Sequence, residues 1–315
     1  MKWGVALTWH VHPWEDLLAL VQRAESLGYA AAFVDGDISQ LDSESRRDVL
    51  DGWTVTTALL ARTERIGVGS MRLVHHWNAA RLAQAAATAE RMTPGRLRFL
   101  VGLGDRPHDE RFGFPSLSRA ERLCWLEEML GAIRALWRGE PVSVSGRYVR
   151  LREARIAPPP PAGAIPIAIA AARPRMLDLV AAFADVWDVN LPTVPARVAA
   201  AAARLERACA AVGRDPATLM RSQWIFARAG TPSQAVTAYR RFCPWFAALS
   251  DAEIAAAVAS GTPEQCRQRA GEIAAELALD LPVLDLSGLP AGPAAELLAA
   301  CAPEKSSVDA EIGSP

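Results

Sequence analysis

Apolar positions along this chain follow two alternating rhythms. Short runs such as KWGVALTW and YAAAFVDGD are almost continuously apolar, and each leads into a stretch where apolar residues return every three or four positions. The first such stretch, PWEDLLALVQRAESLG, sets Leu17, Leu18, Val21, Ala24 and Leu27 on one helical face, between Pro13 near its start and Gly28 at its end. The unit is strand, loop, helix. It recurs three more times by residue 138, with YAAAFVDGD before the helix around DGWTVTTALLART, ERIGVGSMRLV before NAARLAQAAATAERM, and GRLRFLVGLGD before SRAERLCWLEEMLGAIRALW.

Four further strands are predicted in AIPIAIAA, ADVWDVN, RSQWIFA and LPVLDLSG, with alanine-rich helices near 173–184, 194–212, 232–246, 262–278 and 291–302. Eight alternations with strands apolar on both faces imply a closed (β/α)8 barrel, a TIM barrel, rather than an open doubly wound sheet. Two insertions interrupt the rhythm. PVSVSGRYVRLREARI alternates with period two about a Ser-Gly turn and predicts a β-hairpin after helix four; APPPPAGAIP then links it to strand five. Before strand eight, Ser250 followed by Glu253 reads as a capping box that starts an extra helix. Residues 1–302 are expected to form one barrel domain, and the polar stretch 303–315 a disordered tail.

Charge narrows the partner. A formal net charge of -1 with 22% charged residues gives no basic bias toward nucleic acid, so a small molecule is the expected partner. The first apolar run is broken by His10, His12, Glu15 and Asp16, and no stretch is uncharged for long enough to cross a bilayer, so neither export nor membrane insertion is expected. Five scattered cysteines, without a C-x-x-C, fit neither a disulfide scaffold nor a zinc site; the cytoplasm is the expected location.

All five histidines, His10, His12, His75, His76 and His108, fall just past strands one, three and four. In a (β/α)8 barrel those loops share the active-site mouth, so the five converge, although histidines also favour loops for no catalytic reason. The H-x-H after strand one is shared with metal-dependent amidohydrolases. Such sites need further histidines and a mid-barrel lysine, whereas lysine occurs here only at Lys2 and Lys305 and histidine ends at 108; with Asp285 alone in reserve, no closed metal site is expected. The same scarcity of lysine excludes Schiff-base chemistry. VGLGDRP opens like a dinucleotide loop but carries Pro107 where the third glycine belongs, leaving Gly102 and Gly104 as points where a flat ring or a backbone can approach. After strand five, Ala171 and Ala172 lead to Arg173, Pro174 and Arg175 at a helix start, where free N–H groups and guanidinium forks suit a phosphate; a merely solvated arginine pair is the plainer alternative.

The run from DGWTVTTALLARTERIGVGSMRLV through LAQAAATAERMTPGRLRFLVGLGD, then RFGFP, RALWRGEPVSVSGRYVRL, ADVWD, AVGRDPATL and GTPEQCRQRAGEI, resembles the luciferase-like monooxygenase superfamily over about residues 3–290. That resemblance implies a homodimeric barrel that holds coenzyme F420, or alternatively FMN, with its ring in the mouth. It also implies a non-proline cis peptide within Gly69, Ser70, Met71 and Arg72, at Ser70–Met71. Asp35 and Asp105 correspond to acidic residues near the ring in F420-dependent members. The loop after strand five, glycine-bearing near the cofactor phosphate in the family, here reads Ala172 and Arg173, and the alanines at 171 and 172 keep open a barrel that has lost its cofactor and only binds ligands. The composition and GRDPATL favour F420. The expected activity is hydride transfer between the deazaflavin and a small organic substrate, such as reduction of C=C or C=N, with oxygen chemistry on FMN as the alternative. Histidine titrates near neutrality, so His10 or His12, with His75 or His76 in reserve, is the expected proton donor beside Asp105. Trp9 and Trp245 are expected to wall the substrate pocket, the latter in a lid around CPWF.

Overall fold

The computed structural model describes residues 1–8, 13–36, 40–41, 46–47, 50–104, 112–161, 163, 165–243, 246 and 248–304. In chain order its elements are β1 (Gly4–Leu7), α1 (Trp14–Ser26), β2 (Ala31–Val34), the short pair β3 (Gln40–Leu41) and β4 (Arg46–Arg47), α2 (Gly52–Ala61), β5 (Gly67–Leu73), α3 (Ala79–Met92), β6 (Leu97–Gly102) and α4 (Arg119–Leu136). The hairpin β7 (Val142–Ser145) and β8 (Arg150–Ala154) follows. Then come β9 (Ile167–Ala171), α5 (Pro174–Phe183), β10 (Val186–Val189), α6 (Pro195–Ala211), β11 (Met220–Ala229), α7 (Pro232–Phe242), α8 (Asp251–Ala257), β12 (Ala259–Gly261), α9 (Pro263–Glu276), β13 (Leu281–Asp285) and α10 (Ala291–Ala300).

Eight parallel strands close a barrel in the order β1, β2, β5, β6, β9, β10, β11, β13, with β13 returning to β1. This is the expected (β/α)8 architecture. Its helices carry the local signals that a helix start needs: Asp51 and Asn78 cap α2 and α3, and capping boxes open α4, α7, α8 and α9. The box at Ser250 and Glu253 stands where the sequence places it. The 232–246 helix stops earlier, at Phe242, where the Cys243 backbone leaves helical geometry. The short β12, hidden in a stretch that reads as helix, pairs with the far end of β11.

Strand alternation divides the core into two shells. One face of the strands meets the helices in a large apolar layer that includes Val5, Val68, Phe99, Ile167 and Leu284. The other face fills the barrel with Ala6, Ala31, Phe33, Leu100, Ala170 and Val283, joined by Met71 and Trp224. Three of these inner residues are alanines. A third cluster, from Phe226, Tyr239, Phe242, Leu249 and Ile254, seats the α7–α8 insertion against the barrel mouth. Among the described residues, no helix is long and apolar enough to cross a membrane.

Candidate active site in the barrel mouth

A cavity of about 560 Å³ opens at the carboxyl ends of the strands. Every barrel strand or the loop directly after it contributes: Thr8, Asp35 and Gly36, Met71 and Leu73, Gly102 and Gly104, Ala172 and Arg173, Asp188 and Asn190, Trp224 and Phe226, and Asp285. The insertion adds Tyr239, Cys243 and Phe246, which close one side.

The floor on the β2–β5–β6 side is made of backbone. A methyl group on Gly36 would lie 1.9 Å from the Met71 carbonyl oxygen, and one on Gly102 would lie 2.6 Å from the Met71 sulfur. At Gly36 the clash is with backbone and only glycine permits the approach, while Gly104, at φ +66°, adds a left-handed turn that glycine adopts without strain. The result is a glycine-rich floor bordered by the Met71 and Leu73 side chains. Across the cavity, Arg173 is the N-cap of α5; it has no side-chain capping bond, and Pro174 opens the helix as the sequence predicts. That helix end offers an anion site next to the ring platform.

Alternation sorts the expected cofactor residues. Asp35, Met71, Gly102, Gly104, Ala172 and Arg173 line the cavity together. Ser70 and Arg72 project to the opposite face, because Met71 between them points inward. Ser70 donates to the Gly52 carbonyl at 3.0 Å, and Arg72 bonds the Ser70 hydroxyl and stacks 4.8 Å from the Trp53 ring centroid. Both therefore join β5 to α2. Gly69 serves strand packing: a methyl there would meet the Arg98 carbonyl oxygen at 2.2 Å. Ala171 likewise faces outward, its carbonyl accepting the Trp187 indole N–H at 3.0 Å, while Arg175 is exposed and stands outside the cavity. The expected cis peptide is corrected. Ser70–Met71 is trans, because β5 runs unbroken in register with β6 from Val68 to Leu73, and the cis bond among the described residues is Ala157–Pro158.

His75 is buried on the 3₁₀ turn after β5, edge-on to His76 at 4.5 Å and with its ring against Gly104 from outside the main cavity. It instead lines a smaller pocket of about 300 Å³ with Trp77, Trp125 and Tyr148. Trp9, His10, His12, Asp105 and Trp245 lie outside the described residues, as does His108. No cluster of metal-ligating side chains occurs among the described residues.

Sequence reasoning passed over the β10–β13 side. Asp188 is only 6% exposed, and burial raises its carboxyl to about 7, with Trp224 and Ser222 beside it pulling the other way. Asp285 is also raised by burial, against a hydrogen bond from the Ser287 backbone N–H at 2.9 Å and the charge of Arg228. Arg228, stacked 4.0 Å from the Phe226 centroid, is lowered to about 10 by its own burial. An aspartate inside an apolar strand, as Asp188 within ADVWDVN, was the available signal.

A closed (β/α)8 barrel with a cavity at the carboxyl ends of its strands has the layout of barrel enzymes. The luciferase-like monooxygenase family model matches residues 1–249, and the chain belongs to that family. Curated relatives include an F420-dependent hydroxymycolic acid dehydrogenase of Mycobacterium tuberculosis, 28% identical over 75% of this chain, and a phthiodiolone/phenolphthiodiolone dimycocerosates ketoreductase of Mycobacterium bovis, 34% identical over 65%. The matches span 65% and 53% of those relatives' own lengths. In fold, the chain is similar to an F420-dependent secondary alcohol dehydrogenase in complex with an F420-acetone adduct, with TM-score 0.81, 19% identity and 95% and 98% of the two chains covered. It is also similar to the monooxygenase RslO1 from Streptomyces bottropensis, with TM-score 0.76, 20% identity and 96% and 98% covered.

Proposed function

We propose that this protein is an F420-dependent oxidoreductase that moves a hydride between the deazaflavin and a small organic substrate held in the barrel mouth. The observation that carries the reading is the continuity of the cavity, in which a glycine-rich floor at Gly36, Gly102 and Gly104, bordered by Met71, adjoins Arg173 at the start of α5. A planar ring with a phosphate-bearing tail fits that surface. Met71, Gly102 and Gly104 would hold the ring, Asp35 would face its polar edge, and Ala172 and Arg173 would take the phosphate. The bound deazaflavin supplies a two-electron hydride carrier with little reactivity toward oxygen. The protein's share is to exclude water with Trp224, Phe226 and Phe246, to orient the substrate and to manage one proton.

Curated relatives named for a dehydrogenase and ketoreductases support carbonyl and alcohol chemistry beside the C=C and C=N reductions that the sequence suggested. Service as a cytoplasmic homodimer belongs to the same reading. The family's monooxygenase members favour FMN with oxygen as the second reading. The test is anaerobic turnover. Protein loaded with reduced F420 should oxidise it on addition of ketone, imine or enone substrates; oxygen consumption coupled to FMN instead would transfer the assignment to the second reading.

A further inference from the structure

Resting on that reading, we propose that Asp188 is the acid and base of the reaction, and that the substrate it serves is a ketone or secondary alcohol with an apolar body. Asp188 stands on the cavity wall in β10, in register with Ala170 on one side and Ser222 on the other. Trp224 lies two positions beyond Ser222 on the same face of β11 and also lines the cavity. The Ser222 hydroxyl and the Trp224 indole N–H are both buried beside the Asp188 carboxyl, where they favour its ionised form, and neither has another hydrogen-bond partner among the described residues. Two donors and one acid therefore converge on one point of the wall.

Structural aspartates in this protein look different. Asp185 accepts the Ile167 N–H and a guanidinium N–H of Arg134, Asp280 accepts the Arg221 N–H, and Asp285 accepts the Ser287 N–H. Asp188 accepts no backbone N–H. Burying a carboxyl without such bonds costs stability, and a ligand oxygen is the partner that would complete the trio. The charged and titratable groups that share the cavity are Asp35, Arg119, Arg173, Tyr239, Cys243 and Asp285; burial is the largest influence on Asp188, which exchanges its proton near neutrality. The remaining wall is apolar, from Met71, Leu73 and Phe226, so the oxygen is the polar point of an otherwise apolar molecule.

The step balances. In reduction, the hydride from reduced deazaflavin forms the C–H bond as the carbonyl π bond breaks, and the carbonyl oxygen takes the Asp188 proton. Alcohol and oxidised deazaflavin result, and the Asp188 carboxylate is reprotonated from solvent. Oxidation of the alcohol runs the same transfers in reverse, with Asp188 starting as carboxylate.

The test uses the full chain in two states. Cofactor-free, tryptophan fluorescence of the parent protein should titrate near pH 7 through Trp224; the step should vanish in Asp188→Asn and move to higher pH in Ser222→Ala, which removes a donor that favours the carboxylate. Loaded with reduced F420 and offered dialkyl ketones from acetone upward, the parent should lose kcat as pH rises through that same midpoint. Asp188→Asn should lower kcat by about 100-fold or more with F420 affinity retained. An unmoved midpoint in Ser222→Ala, a pH limb that survives in Asp188→Asn, or the lack of any ketone turnover by F420-loaded parent protein overturns the assignment of Asp188. Failure of the parent to bind F420 overturns the functional reading beneath it, a result separable from the others because binding is measured first.

Discussion

The two ends of the barrel use the same kinds of residue in opposite ways. At the amino-terminal end, charged side chains are tied to backbone. Glu25 accepts the N–H groups of Glu64, Arg65 and Ile66 at 2.9, 2.6 and 2.9 Å, and Arg96 donates to the carbonyls of Ile66, Leu60 and Thr63. At the mouth, Asp188 has no backbone donor among the described residues and faces only the Ser222 hydroxyl and the Trp224 indole N–H beside the cavity. The amino-terminal end mostly commits its charges to closing loops, with Glu90 Oε2 and Arg98 Nε left buried there, whereas the polar groups of the mouth border open space. That is the division of a (β/α)8 barrel into a stabilising face and a reactive face, visible here in hydrogen bonds.

The contrast can be broken most forcefully at Asp188. Its carboxyl is raised from 3.8 to about 7 in the fold, so the folded state holds a proton that the unfolded chain has released. The stabilising effect of that proton is fully present below about pH 4 and is lost as pH rises through about 7. Asp188→Asn cannot ionise, so urea unfolding should show it more stable than the parent at pH 8, by as much as about 4 kcal/mol, with the advantage shrinking toward pH 4. Loss of stability at both pH values would make Asp188 a structural residue like Asp185.

Gly36→Ala comes next. Its methyl group would press on the Met71 carbonyl at 1.9 Å, so the variant should lose about 3 kcal/mol in urea unfolding and bind cofactor poorly. Parent-like stability would show that the platform is looser than its packing indicates.

Glu25→Gln probes the other end. Burial raises the Glu25 carboxyl, but its three backbone N–H donors outweigh that and hold it below the ordinary glutamate value. Its stabilisation is therefore present above that ordinary value and lost as pH falls through the lowered one. The substitution should cost about 1 kcal/mol at pH 7, less in acid, and leave cofactor affinity unchanged. A change in affinity would contradict the separation of the two ends. Smallest is Arg173→Ala, which should weaken F420 binding by about 3–10-fold in a fluorescence titration, with little change in thermal midpoint.

How much of this was legible beforehand follows from the same contrast. The barrel was readable because eight near-continuous apolar runs alternate with helices, and because Ser250, Glu253 and Pro174 mark helix starts by local chemistry. Glycine positions at the mouth were readable in VGLGD. The face on which each residue of GSMR lies was not, since resemblance names a segment whereas alternation sends Met71 inward and Ser70 and Arg72 to α2. Asp188 entered the reading only as the last residue of ADVWD, without a role, and Trp224 belongs to no motif. Their meaning arises from the pairing of β10 with β11, which joins residues 34 positions apart for Ser222 and Asp188, a relation that only the closed sheet reveals.

The most direct test of the central claim is a parallel titration of the purified protein with F420 and with FMN, followed by tryptophan quenching and cofactor fluorescence. The account predicts saturable binding of F420 that far exceeds that of FMN. Preferential binding of FMN, or of neither, would contradict it.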